Sequence, residues 1–423
     1  MPSAEPPPNP VSGAAPLRDV RMRGFQDRAE VHAVRELLDQ SLRPLDAEAV
    51  ELTAAAGRVL AAAVVAEVAV PGFDRAAMDG YALRGAETFG AGPYNPLELD
   101  IVGLSLPGKP YPETVQPGQA VRIMTGAPLP AGADAVLQAE AAEETAGRVR
   151  LTDAVPPGRN VGRRGEDIEP GTTVLPAGRV LRPQDVGVLA SIGASPVRVR
   201  RRPTVAVLVT GDELLPCGAR PEGYRIVDSN SVMLAALVRR DSGVLLPPQM
   251  VADAREAVRA ALLGSVADVI LVSGGSSVGQ EDHAPRVLAE VGELRVHGVA
   301  LRPASPTGLG FLNGRPVFLL PGNPVSCLCA YDLFAGPAVR RLGGRSMDLP
   351  YRVAHLPLAR KIASVVGRVD YVRVRIAEGQ AEPIAASGAA LLSTTTRASG
   401  FVLVPRDSEG HAAGETVAVN LYD

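Results

Sequence analysis

The chain has 423 residues, of which 46% are hydrophobic and 21% charged, so it is too long for one core and can fill several. A formal net charge of −3 gives no bulk attraction to nucleic acid, and with no Trp and 4% aromatic residues there is no platform for stacking bases or sugars. The three cysteines, Cys217, Cys327 and Cys329, are odd in number and spaced for neither a disulfide framework nor zinc.

The N-terminus has no apolar signal core, and no run approaches the roughly 20 apolar residues of a membrane span. A soluble, cytoplasmic protein with neither nucleic-acid nor membrane partners is the expectation. Residues 1–18, rich in Pro, Ala and Ser, read as a disordered tail. Val31 to Leu42 has helical periodicity. Asp46 to Val50 reads as the start of a second helix, which Gly57-Arg58-Val59-Leu60 turns toward a strand.

Pro71 to Ala82 (PGFDRAAMDGYA) is too broken for a helix, and Asp79-Gly80 is a turn signal. The Asp79 carboxylate either caps that turn or faces a cleft. Residues 83–150 alternate short β runs with Pro/Gly turns, and within them Arg122 to Pro128 (RIMTGAP) puts the Thr125 hydroxyl just past a strand. Arg163, Arg164, Glu166 and Asp167 crowd among glycines, as a solvated loop or as arginines facing a phosphate. Asp185 to Ser191 reads as a short helix. At Arg200-Arg201-Arg202-Pro203 the texture changes, marking a boundary whose arginines read as a solvated strand edge.

From Thr204 an α/β rhythm sets in. Val205 to Val209 is an apolar strand running into Thr210-Gly211-Asp212-Glu213. Asp228-Ser229-Asn230 offers a cap for a helix from Val232 to Arg239. Asp253 and Glu256 read as a capping box for a helix ending near Leu263. Val269 to Val272 is a buried strand emptying into a glycine-rich turn, Ser273 to Gly279, with Asp282 and Pro285 following. Strand, glycine turn and helix start form the layout in which backbone N–H groups and a helix dipole face an anion. Leu294 to Leu301 and Val317 to Leu320 read as further strands, the latter ending in Pro321-Gly322-Asn323-Pro324, where Asn323 is a natural N-cap for a helix to about Arg341.

Such alternation predicts a parallel sheet with ligands at the carboxyl ends of its strands. Those ends carry Thr210–Glu213, Ser273–Asp282, Pro303–Gly308 and Pro321–Pro324. Glu213, Asp228 and Asp282 supply the hard oxygen ligands that suit Mg²⁺. Residues 346–423 turn to β signals at Tyr371 to Ile376, Phe401 to Val404 and Thr416 to Val419. Arg373 and Arg375 alternate there, so both are expected on one face, solvated or contacting an anion. The fold class is therefore multidomain α/β plus β: a three-layer α/β domain, small β-rich domains and a barrel-like C-terminal β domain. The expected boundaries are 19–70 with 151–202, an inserted domain 71–150, then 203–345 and 346–423.

Seven stretches in order, PGFDRAAMDGYAL, RIMTGAPLPAGADAVLQAE, GRNVGRRGEDI, TGDEL, DSNSVML, SGGSSVGQEDHAP and LLPGNPVS, resemble the molybdopterin molybdenumtransferases of the MoeA type, similar to the E domain of gephyrin. The resemblance implies a homodimer of four-domain subunits that takes adenylylated molybdopterin and molybdate, involves Mg²⁺, releases AMP and yields molybdenum cofactor. Other cofactor-biosynthesis proteins and recipient molybdoenzymes are implied as partners. It also implies roles: Glu213, Asp228 and Asp282 as catalytic and metal-binding acids; Asp79 and Thr125 as residues given to the partner's site; Asp167 as the acid of the GEDI loop. Gly274, Gly275 and Ser277 match the pterin-phosphate loop, and Ser273 and Gly279 of the same turn are expected to bind substrate. Arg302, Ser305, Pro321, Gly322, Asn323 and Arg373 would line the substrate pocket.

One loop departs from the family's Lys-Pro-Gly-Lys-Pro pattern, reading Arg302-Pro303-Ala304-Ser305-Pro306, and Ala389-Ala390 replaces a more polar stretch. Losing a fixed cation that faces an oxyanion costs a few kcal/mol unless Arg302, Arg373 or Arg397 compensates. A working insertase, a paralogue for tungstate or another pterin state, and a non-catalytic pterin-binding scaffold are the three readings. The retained acids favour catalysis, and Ser305 favours the other two. A nucleotide pyrophosphatase leaves Asp79 and RIMTGAP unexplained.

Overall fold

The computed structural model describes residues 28–275, 283–385 and 388–422; the expected tail, residues 1–18, lies outside them. The chain divides into two units, Ala49–Val199, and Met1–Glu48 with Arg200–Asp423.

In the larger unit, strand alternation builds three layers. Val205, Val207, Val209, Leu271, Phe318 and Leu320 point to one face, where helices Val31–Ser41, Asn230–Arg240 and the stretch from Pro324 to Leu342 cover them. Leu208, Ile270, Val272, Val317 and Leu319 point to the other, under helices Arg255–Gly264 and Ala284–Val291. A continuous apolar strand is the sequence of a sheet buried on both faces. The strand order is Val244–Leu245, Thr204–Thr210, Val269–Ser273, Arg315–Leu320, Gly308–Leu312, Glu293–His297, with Gln249–Val251 also on Thr204–Thr210.

Four sequence expectations are corrected. The sheet is mixed: Thr204–Thr210, Val269–Ser273 and Arg315–Leu320 are parallel, but Gly308–Leu312 and Glu293–His297 are antiparallel to their neighbours. The missed strand belongs to a hairpin closed by Asn313-Gly314, both at positive φ, the pair that a tight hairpin turn requires. Second, Leu294 to Leu301 is not one strand. Gly298, at φ 97°, turns the chain, and Leu301–Arg302 joins the C-terminal sheet beside Val369. Third, Ala47–Val50 is a strand paired with Val197–Arg200, not a helix start. The helix propensity of Ala and Glu is weak over four residues, and pairing overrides it. Fourth, Ala254 rather than Asp253 caps the helix Arg255–Gly264, with no side-chain bond.

The C-terminal sheet runs Leu301–Arg302, Val369–Ala377, Gly400–Val404, Thr416–Leu421, Arg352–Pro357, with Gln380–Ala385 on the outside of Val369–Ala377. Arg373 and Arg375 do not share an environment. Arg373 is fully buried, whereas Arg375 is exposed and paired with Glu382. This sheet is joined to the α/β layers through Asp332. The residue lies in a π-helical turn, Tyr331–Ala335, between helices Pro324–Ala330 and Gly336–Leu342. Its carboxylate accepts from Tyr351 Oη at 2.9 Å, Tyr371 Oη at 3.2 Å and Arg240 Nη2 at 3.1 Å. Burial pushes the Asp332 carboxyl upward, and Arg240 with the two hydroxyls opposes it. Arg240 and Arg340 also share Asp241.

The smaller unit holds a six-stranded sheet in the order Ala135–Gln138, Gly80–Leu83, Gln119–Ile123, Leu97–Ser105, Arg148–Leu151, Ala142–Thr145. A second cluster packs Leu60, Ile168, Leu181, Leu189 and Val199 around the helix Pro183–Ser191.

Candidate functional site

The parallel strands of the larger unit bring their carboxyl ends to one edge. Gly274 donates its N–H to Leu320 O at 3.2 Å, tying the glycine turn to Pro321–Pro324. Gly308 pairs with Leu319, so the loop 303–308 ends at the same edge. Gly274 sits at φ 94°, and a Cβ there would lie 2.3 Å from the Thr210 carbonyl oxygen. Only glycine allows this approach. Ser277, Gly279 and Asp282 lie outside the described residues.

Two helices start here, Asn230–Arg240 and Pro324–Ala330, and the positive ends of their dipoles favour anions. Asp228 is buried and accepts from the N–H of Ser231 at 3.1 Å and from its hydroxyl, so it caps the first of these helices. Asn323 precedes the second helix without a side-chain cap bond; there the N–H of Val325 is taken by Ala389 O at 3.0 Å, which places the unusual Ala389-Ala390 stretch at this edge. Ser273 Oγ lies 3.9 Å from Cys327 Sγ. Burial pushes that thiol up to about 12, so it is no nucleophile at neutral pH.

The departing loop is neutral at its centre. Arg302 is committed to Asp370, which is fully buried and also holds Arg368 at 3.2 Å and the Ser364 hydroxyl at 2.7 Å. The expectation that Arg302 lends its charge to an oxyanion therefore meets a competitor. Arg397 is spent locally, donating to Ser393 O at 3.2 Å. Ala304 stands at φ 102°, a conformation suited to the glycine of the family pattern. Ser305 Oγ is buried without a hydrogen-bond partner among the described residues.

For a divalent cation the described residues offer oxygen but no group of three His, Cys, Asp or Glu that would enclose an ion. Glu213 is exposed, Asp228 already caps a helix, and Asp212 accepts from the Asp253 N–H at 3.2 Å. The Glu213 and Asp228 carboxylates are hard oxygen donors of the kind Mg²⁺ takes together with water ligands.

In the smaller unit Asp79 and Thr125 meet. Asp79 Oδ1 accepts from the Thr125 N–H at 2.6 Å and its hydroxyl at 2.7 Å, and both residues are exposed. A Cβ on Gly80 would sit 1.9 Å from Leu137 O, so glycine is required for the chain to turn after Asp79. The Thr125 backbone N–H, then its hydroxyl, hold the Asp79 carboxyl below the usual carboxylate range. Because the folded-state value is the lower one, what the pair adds to folding is present above the ordinary Asp value and fades as pH falls through the depressed one. Thr125→Val should move the Asp79 titration upward, read by NMR of the carboxyl carbon, with the backbone N–H still holding it below normal. An unmoved titration would show that the hydroxyl contributes nothing.

Asp167 is exposed and is not joined to this pair by any bond among the described residues, although Val161–Gly162 beside it pairs with Arg75–Ala76. Arg163 is bound to Asp74 at 3.1 Å, which favours the solvated-loop reading of that stretch over a free phosphate clamp.

Three family models match in sequence order: "MoeA N-terminal region (domain I and II)" over residues 29–193, "Probable molybdopterin binding domain" over 206–341, and "MoeA C-terminal region (domain IV)" over 355–422. The chain belongs to the MoeA family. Among similar MoeA relatives, molybdopterin molybdenumtransferase 2 of Mycobacterium tuberculosis is 35% identical over 94% of this chain and 99% of its own. The molybdopterin molybdenumtransferase of Haemophilus influenzae is 33% identical over 92% of this chain and 97% of its own. Two crystal structures of a molybdopterin biosynthesis MoeA protein from Pyrococcus horikoshii align with TM-scores of 0.82 and 0.79, at 32% and 31% identity, over 94% of this chain and all of that one.

At the sheet edge of this MoeA chain, Asp253 and Asn230, read in the sequence only as parts of helix caps, stand at the glycine turn beside Thr210, which was expected at its strand end. Asp253, expected to cap a helix, instead lies beside the glycine turn, where a Cβ on Gly275 would be 3.8 Å from its Oδ1. Thr210 and Asn230 are buried at the same turn. Their signal was position alone: each stands at the end of a strand or the start of a helix whose apolar run was legible.

Proposed function

We infer that this chain is a molybdopterin molybdenumtransferase, which moves molybdate into adenylylated molybdopterin and releases AMP. The observation that carries this is the family match across both units, with the molybdopterin-binding model lying over the α/β layers that carry the glycine turn. A scaffold reading is disfavoured, because full-length relatives are named as transferases.

The chemistry breaks the P–O–P link between AMP and the pterin phosphate. An oxygen of water or molybdate attacks phosphorus, AMP leaves with the bridging electron pair, and the proton of an attacking water passes to solvent. No side-chain nucleophile is required. The chain's task is to hold two anions together, through helix N-termini, the glycine turn and hydroxyl donors. Mg²⁺, held through Glu213 and Asp228, would neutralise phosphate charge there. Mg²⁺ dependence, a homodimer and a cytoplasmic location are the finer parts of the proposal.

The test is AMP release from adenylylated molybdopterin with Mg²⁺, with and without molybdate, with tungstate as the comparison. Molybdate-dependent release is expected. Tight pterin binding without oxyanion-dependent release would overturn the transferase reading.

A further inference from the structure

The carboxamide of Asn230 lies where three segments of the strand-end edge meet. It is the first residue of helix Asn230–Arg240, only 7% exposed. Its Nδ2 donates to Ser273 Oγ at 2.9 Å and to Gly322 O at 2.8 Å. A carbonyl only accepts, so the Gly322 contact fixes which way the amide faces. Ser273 opens the glycine turn, Gly322 sits in the loop before helix Pro324–Ala330, and Asp228, two residues earlier, caps Asn230's own helix. One side chain thus sets the spacing of the glycine turn, the Pro-Gly-Asn loop and a helix N-terminus. The packing between the first two is close: a Cβ on Gly322 would touch Gly274 Cα at 3.6 Å.

The arrangement is costly. Asn230 Oδ1 is buried without a hydrogen-bond partner among the described residues, and so is Thr210 Oγ1, against which the Gly274–Gly275 turn packs. A buried acceptor left unpaired lowers stability, and one that stays in place calls for an explanation other than stability.

We propose that Asn230 is a positioning residue for the transferase site: its amide holds the glycine turn and the Pro-Gly-Asn loop at the separation the phosphorylated pterin requires. Asn230 need not touch the ligand. It acts through Ser273 and Gly322. This rests on the transferase reading for its substrate, but not for its geometry.

The experiment compares the full-length wild type with Asn230→Ala and Asn230→Leu. Three quantities are measured: the melting temperature without ligand, the ligand-induced melting shift with molybdopterin alone, and KM and kcat for AMP release. A melting temperature within about 3 °C of wild type is expected for at least one variant, since the lost bonds are offset by removal of the unpaired acceptor. In that same variant KM for adenylylated molybdopterin should rise about tenfold or more and the molybdopterin-induced shift should shrink, because a displaced phosphate loop costs geometry rather than fold. A lowered melting temperature in both variants with KM and the ligand-induced shift unchanged would make Asn230 merely structural and overturn the proposal. So would variants indistinguishable from wild type in every readout. If wild type releases no AMP, the transferase reading fails; the ligand-induced shift still decides whether Asn230 shapes a pterin site.

Discussion

Asp332→Ala should lower the stability of the larger unit by about 3–5 kcal/mol, the usual cost of breaking a buried, hydrogen-bonded ion pair from one side. The carboxylate is fully buried and is the shared acceptor of Tyr351, Tyr371 and Arg240. Its removal takes the shared acceptor from Tyr351 and Tyr371, leaving Tyr371 with the Tyr422 hydroxyl at 3.0 Å and Tyr351 with Arg240, and leaves Arg240 with Asp241 as its remaining acidic partner. In a unit of this size the loss corresponds to a fall in melting temperature of about 5–9 °C. Near-ultraviolet circular dichroism follows it, because Tyr351, Tyr371, Phe401 and Tyr422 form one aromatic cluster around the site. Asp332→Asn keeps an acceptor for the tyrosines and should lose less. A melting temperature within about 2 °C of wild type for the alanine variant would show that the tyrosine–arginine network does not hold the C-terminal sheet.

Gly274→Ala should cut AMP release about a hundredfold or more, with most of the fold retained. The methyl group would fall 2.3 Å from a backbone oxygen and 2.9 Å from Thr210 Oγ1, and φ is 94°. Nothing at the first of those contacts can rotate away, because the oxygen belongs to the backbone of the buried strand Thr204–Thr210. The turn must therefore move outward, and misplacement by about 1 Å can cost a factor of 100 in turnover. Gly275→Ala is the control. Its nearest contact is the Thr210 hydroxyl at 2.9 Å, the tip of a side chain rather than backbone, at φ 56°. It should retain more activity than Gly274→Ala. Equal activity of Gly274→Ala and wild type would remove the turn from the ligand site.

The parts of this site legible in the sequence were those that a local rule dictates. An apolar run with no alternation requires a strand covered on both faces, and Val269–Ser273 is one. Glycines after such a run require positive φ or a close approach, and Gly274 has both. Asp79-Gly80 was legible as a turn whose carboxylate either caps it or faces a cleft, and Thr125 as a hydroxyl past a strand. That the two bind each other was not, since they are 46 positions apart. The misreadings share one cause: local preference competing with a partner far along the chain. Ala47–Val50 became a strand because Val197–Arg200 lies beside it. Asp253 left its capping geometry for the neighbourhood of Gly275. Arg373 and Arg375 obey the two-residue period, yet one is buried and the other pairs with Glu382 at the surface. The hairpin at Asn313-Gly314 was different, because its turn signal was present and went unread.

The way the smaller unit interrupts the larger one bears on synthesis at the ribosome. Helix Val31–Ser41 precedes the interruption, yet Val34 and Leu38 are buried against a core that includes Phe334, Val339 and Leu342. Those partners are translated roughly 300 residues later, which at 5–20 residues per second is a delay of about 15–60 s. Until they emerge the apolar face of that helix lacks these partners, and for the later part of the delay, once residue 199 has been made, Ala49–Val199 has its complete chain. The nascent chain therefore carries an exposed amphipathic segment ahead of an already complete neighbour, and that segment is where a chaperone such as a ribosome-bound holdase has the longest time to act.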